Sequence, residues 1–161
     1  MRVGVFSDSH GDTQALDELL EKMGYVDAVC FLGDVARDAD HLQQRLAAMP
    51  NCPPLYAVRG NNDYYHTCML PWELLIDLDG VRAYLTHGHK IVSDMSLVYK
   101  AMECEAGIAM FGHTHVSYCE EVQGVLLLNP GSAGNYCRGG RARASLLEIR
   151  SGKLRVTDVC L

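Results

Sequence analysis

Five short clusters of Asp, Asn and His residues carry the chemistry that this sequence offers. Carboxylate, amide and imidazole groups are ligands of divalent metal ions, and the mixture is too rich in oxygen donors for a closed structural zinc site. Each cluster follows a short apolar run typical of a buried strand, so we expect the clusters to meet at one edge of a sheet and to hold a pair of metal ions. The clusters are Asp8-Ser9-His10, Gly33-Asp34, Gly60-Asn61-Asn62-Asp63, Thr86-His87-Gly88-His89 and Gly112-His113-Thr114-His115.

Each cluster taken alone has a plainer interpretation. Asp34 could cap the helix that follows its strand, and Asn61 lies in a composition typical of turns. A single His at a strand end more often makes an ordinary hydrogen bond than binds a metal ion. The repetition of the pattern at successive strand ends favours the metal site over these alternatives. His89 stays open between supporting a ligand, contacting a substrate and doing neither, whereas His41 and His66 are expected on the surface.

The elements that must position the clusters change in character along the chain. The first part alternates strands with amphipathic helices, the first of which we expect Asp12 to cap. The second part is rich in strands, with a hairpin turn at Asp79-Gly80 and one helix over 93–105 that we expect Gly107 to cap. We therefore predict an α/β fold with two mixed sheets packed face to face and helices outside. The predicted strands span 2–6, 27–32, 55–58, 74–78, 81–86, 108–111, 116–122, 125–129, 144–149 and 153–159.

The composition indicates one globular domain over residues 1–161. No stretch is apolar and long enough to cross a membrane, and the start of the chain lacks the features of a signal peptide, so we expect a cytoplasmic protein. The formal net charge of −6 disfavours long nucleic acids as partners, although two bound divalent cations would still allow an anionic substrate. The seven cysteines include no CxxC pair, which predicts free thiols rather than a disulfide framework or a thiolate zinc site.

Taken in order, the five clusters resemble the motif series of the calcineurin-like metallophosphoesterases. The short chain, the His87-Gly88-His89 form and the later run Asn129-Pro130-Gly131-Ser132 are similar to the small single-domain phosphodiesterases of that family. The resemblance extends from Arg2 to about Ile149 and implies a four-layer α/β/β/α sandwich. It also implies a metal-dependent phosphodiesterase that hydrolyses phosphodiester bonds with a hydroxide bridging two metal ions.

The resemblance implies metal ligands at seven positions of this sequence. Manganese is the ion that it most favours, with nickel, cobalt, iron and zinc as alternatives. Asp34 is implied as the bridging residue shared by both ions. The first ion is implied to bind Asp8, His10, Asp34 and His115, and the second to bind Asp34, Asn61, His87 and His113.

Asn62 departs from the pattern of the family. Larger relatives carry a His directly after the metal-binding Asn, where it assists the leaving group, and the small ones often carry Cys. An amide cannot act as a general acid at neutral pH, but it can donate a hydrogen bond to a phosphoryl oxygen. We therefore predict Asn62 as a catalytic residue and expect a preference for diesters with good leaving groups.

Residues beside the clusters are weaker candidates. Asp63 could orient a neighbour in the metal site or simply complete its turn. An Arg can hold a phosphate with two parallel hydrogen bonds, although a solvated surface role is the commoner one. The candidates of this kind are Arg59, Arg138, Arg141 and Arg143.

Two further interpretations of the function remain open. A phosphomonoesterase could use the same residues on a different substrate. A protein-binding scaffold is the other alternative, because the retromer subunit of this fold chiefly contacts other proteins. For the enzyme, the expected partner is a small phosphoester substrate, and the resemblance is compatible with a homo-oligomer.

Overall fold

The computed structural model describes residues 1–63, 69–134 and 140–161. Three helices are formed in these ranges, namely α1 (Thr13–Met23), α2 (Ala36–Ala47) and α3 (Asp94–Glu103). The strands in the same ranges are β1 (Arg2–Phe6), β2 (Ala28–Phe31), β3 (Leu55–Ala57), β4 (Glu73–Leu78), β5 (Val81–Thr86), β6 (Ile108–Met110), β7 (Ser117–Val122), β8 (Val125–Pro130), β9 (Arg143–Arg150) and β10 (Lys153–Cys160). The predicted strands are all present, and each boundary agrees with the prediction or differs from it by one residue.

The strands form two mixed sheets of five strands each. The first sheet has the order β10-β9-β1-β2-β3, and the second has the order β4-β5-β6-β8-β7. In the first, β1, β2 and β3 are parallel and β9 runs antiparallel to β1. In the second, β5, β6 and β8 are parallel, while β4 and β7 pair antiparallel at its two edges. Parallel neighbours bring their carboxyl ends to one edge of a sheet, and the clusters follow these parallel strands.

Three apolar cores hold the layers together. The first lies between the first sheet and the helices α1 and α2, where Leu16 and Leu42 are fully buried. The second lies between the two sheets, with Val5 and Leu85 buried on facing strands. The third joins the second sheet to α3 and includes Leu97. Three cores between four layers give the predicted α/β/β/α sandwich.

The helix ends show one correct prediction and one error. Asp12 caps α1, and its carboxylate accepts a hydrogen bond of 3.0 Å from the Ala15 amide. Gly107 does not cap α3, because the helix ends at Glu103 and Glu105 takes the left-handed conformation with φ of 54°. The Gly107 amide instead donates to the Arg82 carbonyl oxygen in β5, and Gly107 directly precedes β6.

Two composition-based expectations can be compared with the described residues. None of the helices in these ranges is long and apolar enough to span a membrane. The cysteines in these ranges are free thiols, as predicted; they are Cys30, Cys52, Cys104, Cys119 and Cys160. Cys68 and Cys137 lie outside the described residues, as do His66 and Arg138.

Candidate metal centre

The seven candidate ligands lie where the carboxyl ends of strands from both sheets face each other. Asp8 and His10 follow β1, Asp34 follows β2 and Asn61 lies beyond β3. The second sheet contributes the candidates that follow β5 and β6, which are His87, His113 and His115. The sequence placed these side chains at one edge of one sheet, but the ends of strands from two facing sheets build the site jointly.

One group of side chains brings together Asp8, His10 and His115. The Oδ1 atom of Asp8 lies 3.2 Å from His115 Nε2, and His115 Nε2 lies 3.2 Å from His10 Nε2. Their ligand atoms are close enough to surround one metal ion. Asp8 is fully buried, whereas the two histidines are partly exposed at the entrance.

A second group brings together Asp8, Asp34 and His87, and Asn61 contacts His87 as well. His87 Nε2 lies 3.5 Å from Asp34 Oδ1, 3.9 Å from Asp8 Oδ1 and 3.0 Å from Asn61 Oδ1. His87 Nδ1 lies 2.7 Å from the Leu32 carbonyl oxygen, an arrangement in which the ring donates its Nδ1 proton and leaves Nε2 free for a ligand.

Asp8, rather than Asp34, is common to both groups of close ligand atoms. The first group contains Asp8, His10 and His115, and the second contains Asp8, Asp34 and His87. Both carboxylates are buried, with Asp34 only 2% exposed. The resemblance implied that Asp34 bridges the two metal ions. In the structure, Asp8 also lies between the two groups of ligand atoms.

His113 and His89 lie next to these groups without joining their close contacts. The His113 ring centroid is 5.3 Å from that of His87, and the His89 centroid is 5.6 Å from it. Burial lowers the pKa of both rings below the ordinary histidine value, and the neighbouring His87 lowers it further. Both imidazoles therefore favour the neutral form, which is the form that can accept a hydrogen bond or bind a metal.

The backbone at five of the seven candidate ligands takes a conformation that few residues adopt. Residues with φ between 49° and 68° are Asp8, His10, Asp34, His113 and His115. Positive φ is uncommon outside glycine, and such strain concentrates at functional sites where the surrounding structure maintains it. The strained turns aim successive side chains into the space between the two sheets.

Buried carboxylates outside the ligand set hold the strained turns. Asp63 Oδ2 accepts a hydrogen bond of 2.6 Å from the Gly60 amide, and its Oδ1 accepts one of 2.7 Å from the Ala36 amide. Asp63 thus ties the turn after β3 to the start of α2, which supports its predicted orienting role. The N-cap residue of α2 is Val35, so Asp34 does not cap that helix, and the Asp34 carboxylate instead lies near His87.

Asp38 has a similar role at the turn after β1. This α2 residue is 2% exposed, and its Oδ2 accepts hydrogen bonds from Ser9 Oγ and from the Gly11 amide at 2.8 Å. These contacts fix the backbone on both sides of His10. No sequence pattern indicated Asp38, since only the tertiary fold places α2 against this turn.

The run after β8 supports the site from behind. Asn129 Nδ2 donates to the Gly112 carbonyl oxygen at 2.9 Å, which holds the turn that carries His113. Ser132 Oγ donates to the Asp8 carbonyl oxygen at 2.8 Å. This run, noticed in the sequence only for its resemblance, therefore fixes two of the ligand turns.

Two glycines let the turns approach the carboxylates. A Cβ atom on Gly112 would lie 2.7 Å from Asp8 Oδ2 and would overlap Ser7 Oγ. A Cβ atom on Gly60 would lie 2.8 Å from Asp34 Cγ and would overlap Asp34 Oδ1. No side chain larger than hydrogen fits at either place without moving a candidate ligand.

Asn62 contacts a candidate ligand directly. Its side-chain Nδ2 donates to Asp34 Oδ2 at 2.6 Å, and its backbone amide donates to Asp34 Oδ1 at 3.0 Å. Both oxygens of Asp34 therefore accept from one neighbour. The side-chain amide therefore lies beside Asp34, and its donation to a phosphoryl oxygen stays a prediction.

The donor set fits divalent cations. Asp8 Oδ2 accepts from the Ser7 hydroxyl and from the His113 amide, but Asp8 Oδ1 is buried and has no hydrogen-bond partner among the described residues. A buried carboxylate oxygen without a donor is costly unless a cation faces it. Imidazole nitrogens lie 3.2 Å and 3.9 Å from this oxygen, so a metal ion placed among them would meet both oxygen and nitrogen ligands.

The arginine candidates lie in different places. Arg143 donates from Nη1 to Ser117 Oγ at 3.1 Å at the start of β9. The Arg59 guanidinium lies over the Trp72 ring, with its Cζ 3.8 Å from the ring centroid. Arg59 is therefore the arginine whose contacts place it beside the turn that carries Asn61. His41, expected on the surface, is partly exposed and lies 2.9 Å from Asp17 Oδ1.

The chain matches a family model over nearly its full length. The model is described as the calcineurin-like phosphoesterase superfamily domain and covers residues 1–152. Two known proteins are among the similar sequences. A probable metallophosphoesterase of Bacillus subtilis, YsnB, is 31% identical over 136 residues, which cover 82% of this chain and 75% of that protein. A phosphodiesterase of Methanocaldococcus jannaschii is 26% identical over 159 residues, which cover 86% of this chain and 88% of that protein.

Solved structures agree with this match. A Streptococcus pneumoniae protein described as a predicted phosphoesterase has a TM-score of 0.77 at 30% identity, covering 99% of this chain and 88% of that chain. Vps29 of Entamoeba histolytica in complex with zinc has a TM-score of 0.74 at 23% identity, covering 99% of both chains. The second likeness concerns the fold alone.

Proposed function

Because the chain belongs to the calcineurin-like phosphoesterase superfamily, we propose that it is a phosphodiesterase that works with two divalent metal ions. The observation that carries the proposal is the buried Asp8 Oδ1, which has no hydrogen-bond partner among the described residues and faces imidazole nitrogens of His87 and His115 from the second sheet. Burying a carboxylate oxygen without a hydrogen-bond donor is costly, and a bound cation beside the two histidines would offset that cost. The relative from Methanocaldococcus jannaschii named as a phosphodiesterase supports the choice of a diester.

The two ions would share the Asp34 carboxylate. One ion would bind Asp8, His10, Asp34 and His115, and the other would bind Asp34, Asn61, His87 and His113. The distances from His87 Nε2 to Asn61 Oδ1 (3.0 Å) and to Asp34 Oδ1 (3.5 Å) support the second set, and the contacts at 3.2 Å around His115 Nε2 support the first. Manganese suits this mixture of nitrogen and oxygen ligands, although ligand type also accommodates nickel, cobalt, iron or zinc.

Bound divalent ions would supply Lewis acidity toward a phosphoryl oxygen and would lower the pKa of a water molecule that attacks phosphorus. The residues of the chain have simpler tasks. Asp34 and Asp8 supply negative charge that holds cations at the base of the site. The Leu32 carbonyl oxygen orients the His87 ring so that Nε2 faces inward.

Asn62 is the residue that would touch the substrate. Its amide now donates to Asp34 Oδ2, and a phosphoryl oxygen arriving at the site would offer a competing acceptor. An amide cannot protonate a departing alkoxide at neutral pH, so the substrate must carry a leaving group that departs without help. A small phosphodiester with an acidic alcohol meets this requirement.

The scaffold function is the second candidate, and one observation favours it. Asn62, where larger relatives carry His, is hydrogen-bonded to Asp34 and cannot give a proton to the leaving group at neutral pH. A phosphomonoesterase would use the same ligands and differs only in the charge of its substrate. Turnover separates these candidates, since a scaffold hydrolyses neither ester.

The test is hydrolysis of an aryl phosphodiester and of the matching monoester by metal-stripped protein to which manganese is returned. We expect turnover of the diester that appears with manganese and disappears with a chelator. Faster turnover of the monoester would favour the phosphomonoesterase. No turnover of either ester with manganese, nickel, cobalt or zinc would overturn the enzyme proposal and leave the scaffold.

A further inference from the structure

A cavity of about 600 Å³ opens beside the candidate metal centre, between α3 and the strands β4 and β5. Trp72, Tyr84 and Leu97 give it an apolar wall. Its polar lining includes His89, Lys90 and Lys100. The space is far larger than one phosphoryl group needs, so the metal site alone does not account for it.

His89 connects the cavity to the metal centre. Its ring centroid lies 5.6 Å from that of His87 on one side and 5.3 Å from that of Trp72 on the other. Both of its ring nitrogens are shielded from solvent, and neither has a hydrogen-bond partner among the described residues. Buried polar atoms normally have partners, so these two point to a ligand group that spans the centre and the cavity.

Cationic groups surround the Trp72 ring. The Arg59 Cζ lies 3.8 Å from the ring centroid, and the Lys90 Nζ lies 4.5 Å from it. The face of the aromatic ring attracts cations electrostatically, which keeps both side chains in place. Lys100 approaches the same cavity from α3.

These cations lack anionic partners in the part of the chain that the structure describes. No carboxylate there lies within 4.0 Å of the side-chain nitrogens of Arg59, Lys90 or Lys100. Glu73 also lines the cavity, beside Tyr84, whose pKa is raised by burial and by this carboxylate. Three uncompensated cations are unexpected in a chain of net charge −6, and their own repulsion would be relieved by an anion.

We propose that this cavity binds a second anionic group of the substrate, a phosphate or a carboxylate, carried by the alcohol that leaves when the phosphodiester at the metal centre is cleaved. The inference rests on the proposed function for the cleavage itself. Lys90, Lys100 and Arg59 neutralise the second anion, and His89 lies between it and the scissile group. The substrate class is therefore a phosphodiester whose leaving alcohol carries additional negative charge.

Trp72 makes the cavity directly observable, because it is the only tryptophan of the chain. The experiment titrates metal-free protein with inorganic phosphate and, separately, with acetate while Trp72 fluorescence is recorded. We expect a saturable change, since an anion would draw Lys90 away from the ring. The anion that binds more tightly identifies the group as a phosphate or as a carboxylate.

Lys100→Met is the informative variant because Lys100 lines the cavity and is not one of the two cations placed over the tryptophan ring. Loss of this charge should weaken anion binding about fivefold, the scale of a partly exposed charge pair. Lys153→Met, at an exposed lysine at the start of β10, is the matched control and should bind as the unmodified protein does. Absence of a saturable change, or equal binding by Lys100→Met, would overturn the proposal.

A second comparison separates this inference from the proposed function. Manganese-loaded protein is given methyl para-carboxyphenyl phosphate and methyl para-carbamoylphenyl phosphate, which differ by one negative charge on the leaving phenol. We expect the carboxylate substrate to have the higher kcat/KM and Lys100→Met to reduce that preference. Equal hydrolysis of both would overturn the cavity proposal alone, whereas hydrolysis of neither, with Lys100-dependent phosphate binding intact, would overturn the function alone.

Discussion

Asp8 Oδ1 and His115 Nε2 lie 3.2 Å apart, although the two residues follow strands of different sheets. Asp8 follows β1 of the first sheet, and His115 follows β6 of the second. The contact shows that the candidate centre forms only when both sheets pack together. Metal ions bound there would therefore stabilise the sandwich as well as take part in chemistry.

Asp34→Asn tests the carboxylate at the middle of the site. We expect the variant to lose phosphodiesterase activity and to bind both ions more weakly, because the change removes a buried negative charge beside His87 Nε2. Activity and metal content, measured by elemental analysis after dialysis, check the two expectations. Asp40→Asn removes the same charge from an exposed position of α2 and serves as the control. Unchanged activity of Asp34→Asn would refute a shared ligand at this position.

Gly112→Ala tests the close approach of the turn after β6 to Asp8. A Cβ atom there would lie 2.7 Å from Asp8 Oδ2, so the carboxylate must move. We expect a loss of stability of about 1–3 kcal/mol, as for other overpacked sites, together with weaker manganese binding. Urea unfolding and a manganese titration provide the measurements.

The matched control for this prediction is Gly107→Ala. A Cβ atom on Gly107 would meet only the Val81 side chain, at an ordinary contact distance of 3.6 Å. This variant should bind manganese normally. If Gly112→Ala binds the metal as tightly as Gly107→Ala does, the close packing against Asp8 is not needed for the site.

Much of this arrangement could be predicted from the sequence, for a physical reason. The strands that carry the clusters are apolar and end at glycine or polar residues, so Asp8, Asp34 and His87 could be placed at strand ends directly. Asp38 could not, because its contact with the Gly11 amide depends on how α2 packs against the first sheet. The cavity at Trp72 was missed for the same reason, since its lining comes from separate elements.

The error at the end of α3 has a local cause. Glycine is the usual left-handed residue after a helix, and Gly107 was therefore expected in that role. The chain instead uses Glu105, with φ of 54°, and the helix closes through a hydrogen bond of 2.8 Å from the Ala106 amide to the Ala101 carbonyl oxygen. Propensity favours glycine there but does not require it.

Asp38→Ala tests the support of the turn that carries His10. The change leaves the Ser9 hydroxyl and the Gly11 amide without their acceptor, which should reduce stability by about 1–3 kcal/mol. Manganese affinity should fall about tenfold, the usual effect of removing a residue that orients a ligand. Asp38→Asn keeps an oxygen acceptor and should recover most of the affinity. Equal affinities in all three proteins would show that the turn needs no such support.

Asn62→His tests the missing general acid. A histidine at this position can protonate a departing alkoxide, so cleavage of alkyl phosphodiesters should rise by about tenfold or more. Aryl phosphodiesters leave readily without a proton and should gain little. The ratio of kcat/KM values for an alkyl and an aryl diester is the measurement. Equal changes in kcat/KM for the two diesters would show that residue 62 does not assist the leaving group.

His89 makes the stability of the metal-free protein depend on pH. Its folded-state pKa is lowered from 6.5, mainly by burial, so between that lowered value and about 6.5 the unfolded chain binds more protons than the folded one. The contribution of neutral His89 is therefore fully present above about pH 6.5 and is lost as the pH falls through the folded pKa. His89→Gln cannot titrate and should show a flatter decline in unfolding free energy below pH 6.5. An identical pH profile for both proteins would contradict the assigned direction.

The most direct measurement follows hydrolysis of an aryl phosphodiester while manganese is titrated into metal-stripped protein of known concentration. We expect turnover to begin with added manganese and to reach its maximum at about two bound ions per chain, the number needed for two groups of ligands that share Asp34. Protein that binds two manganese ions per chain and still hydrolyses no phosphodiester would contradict the account.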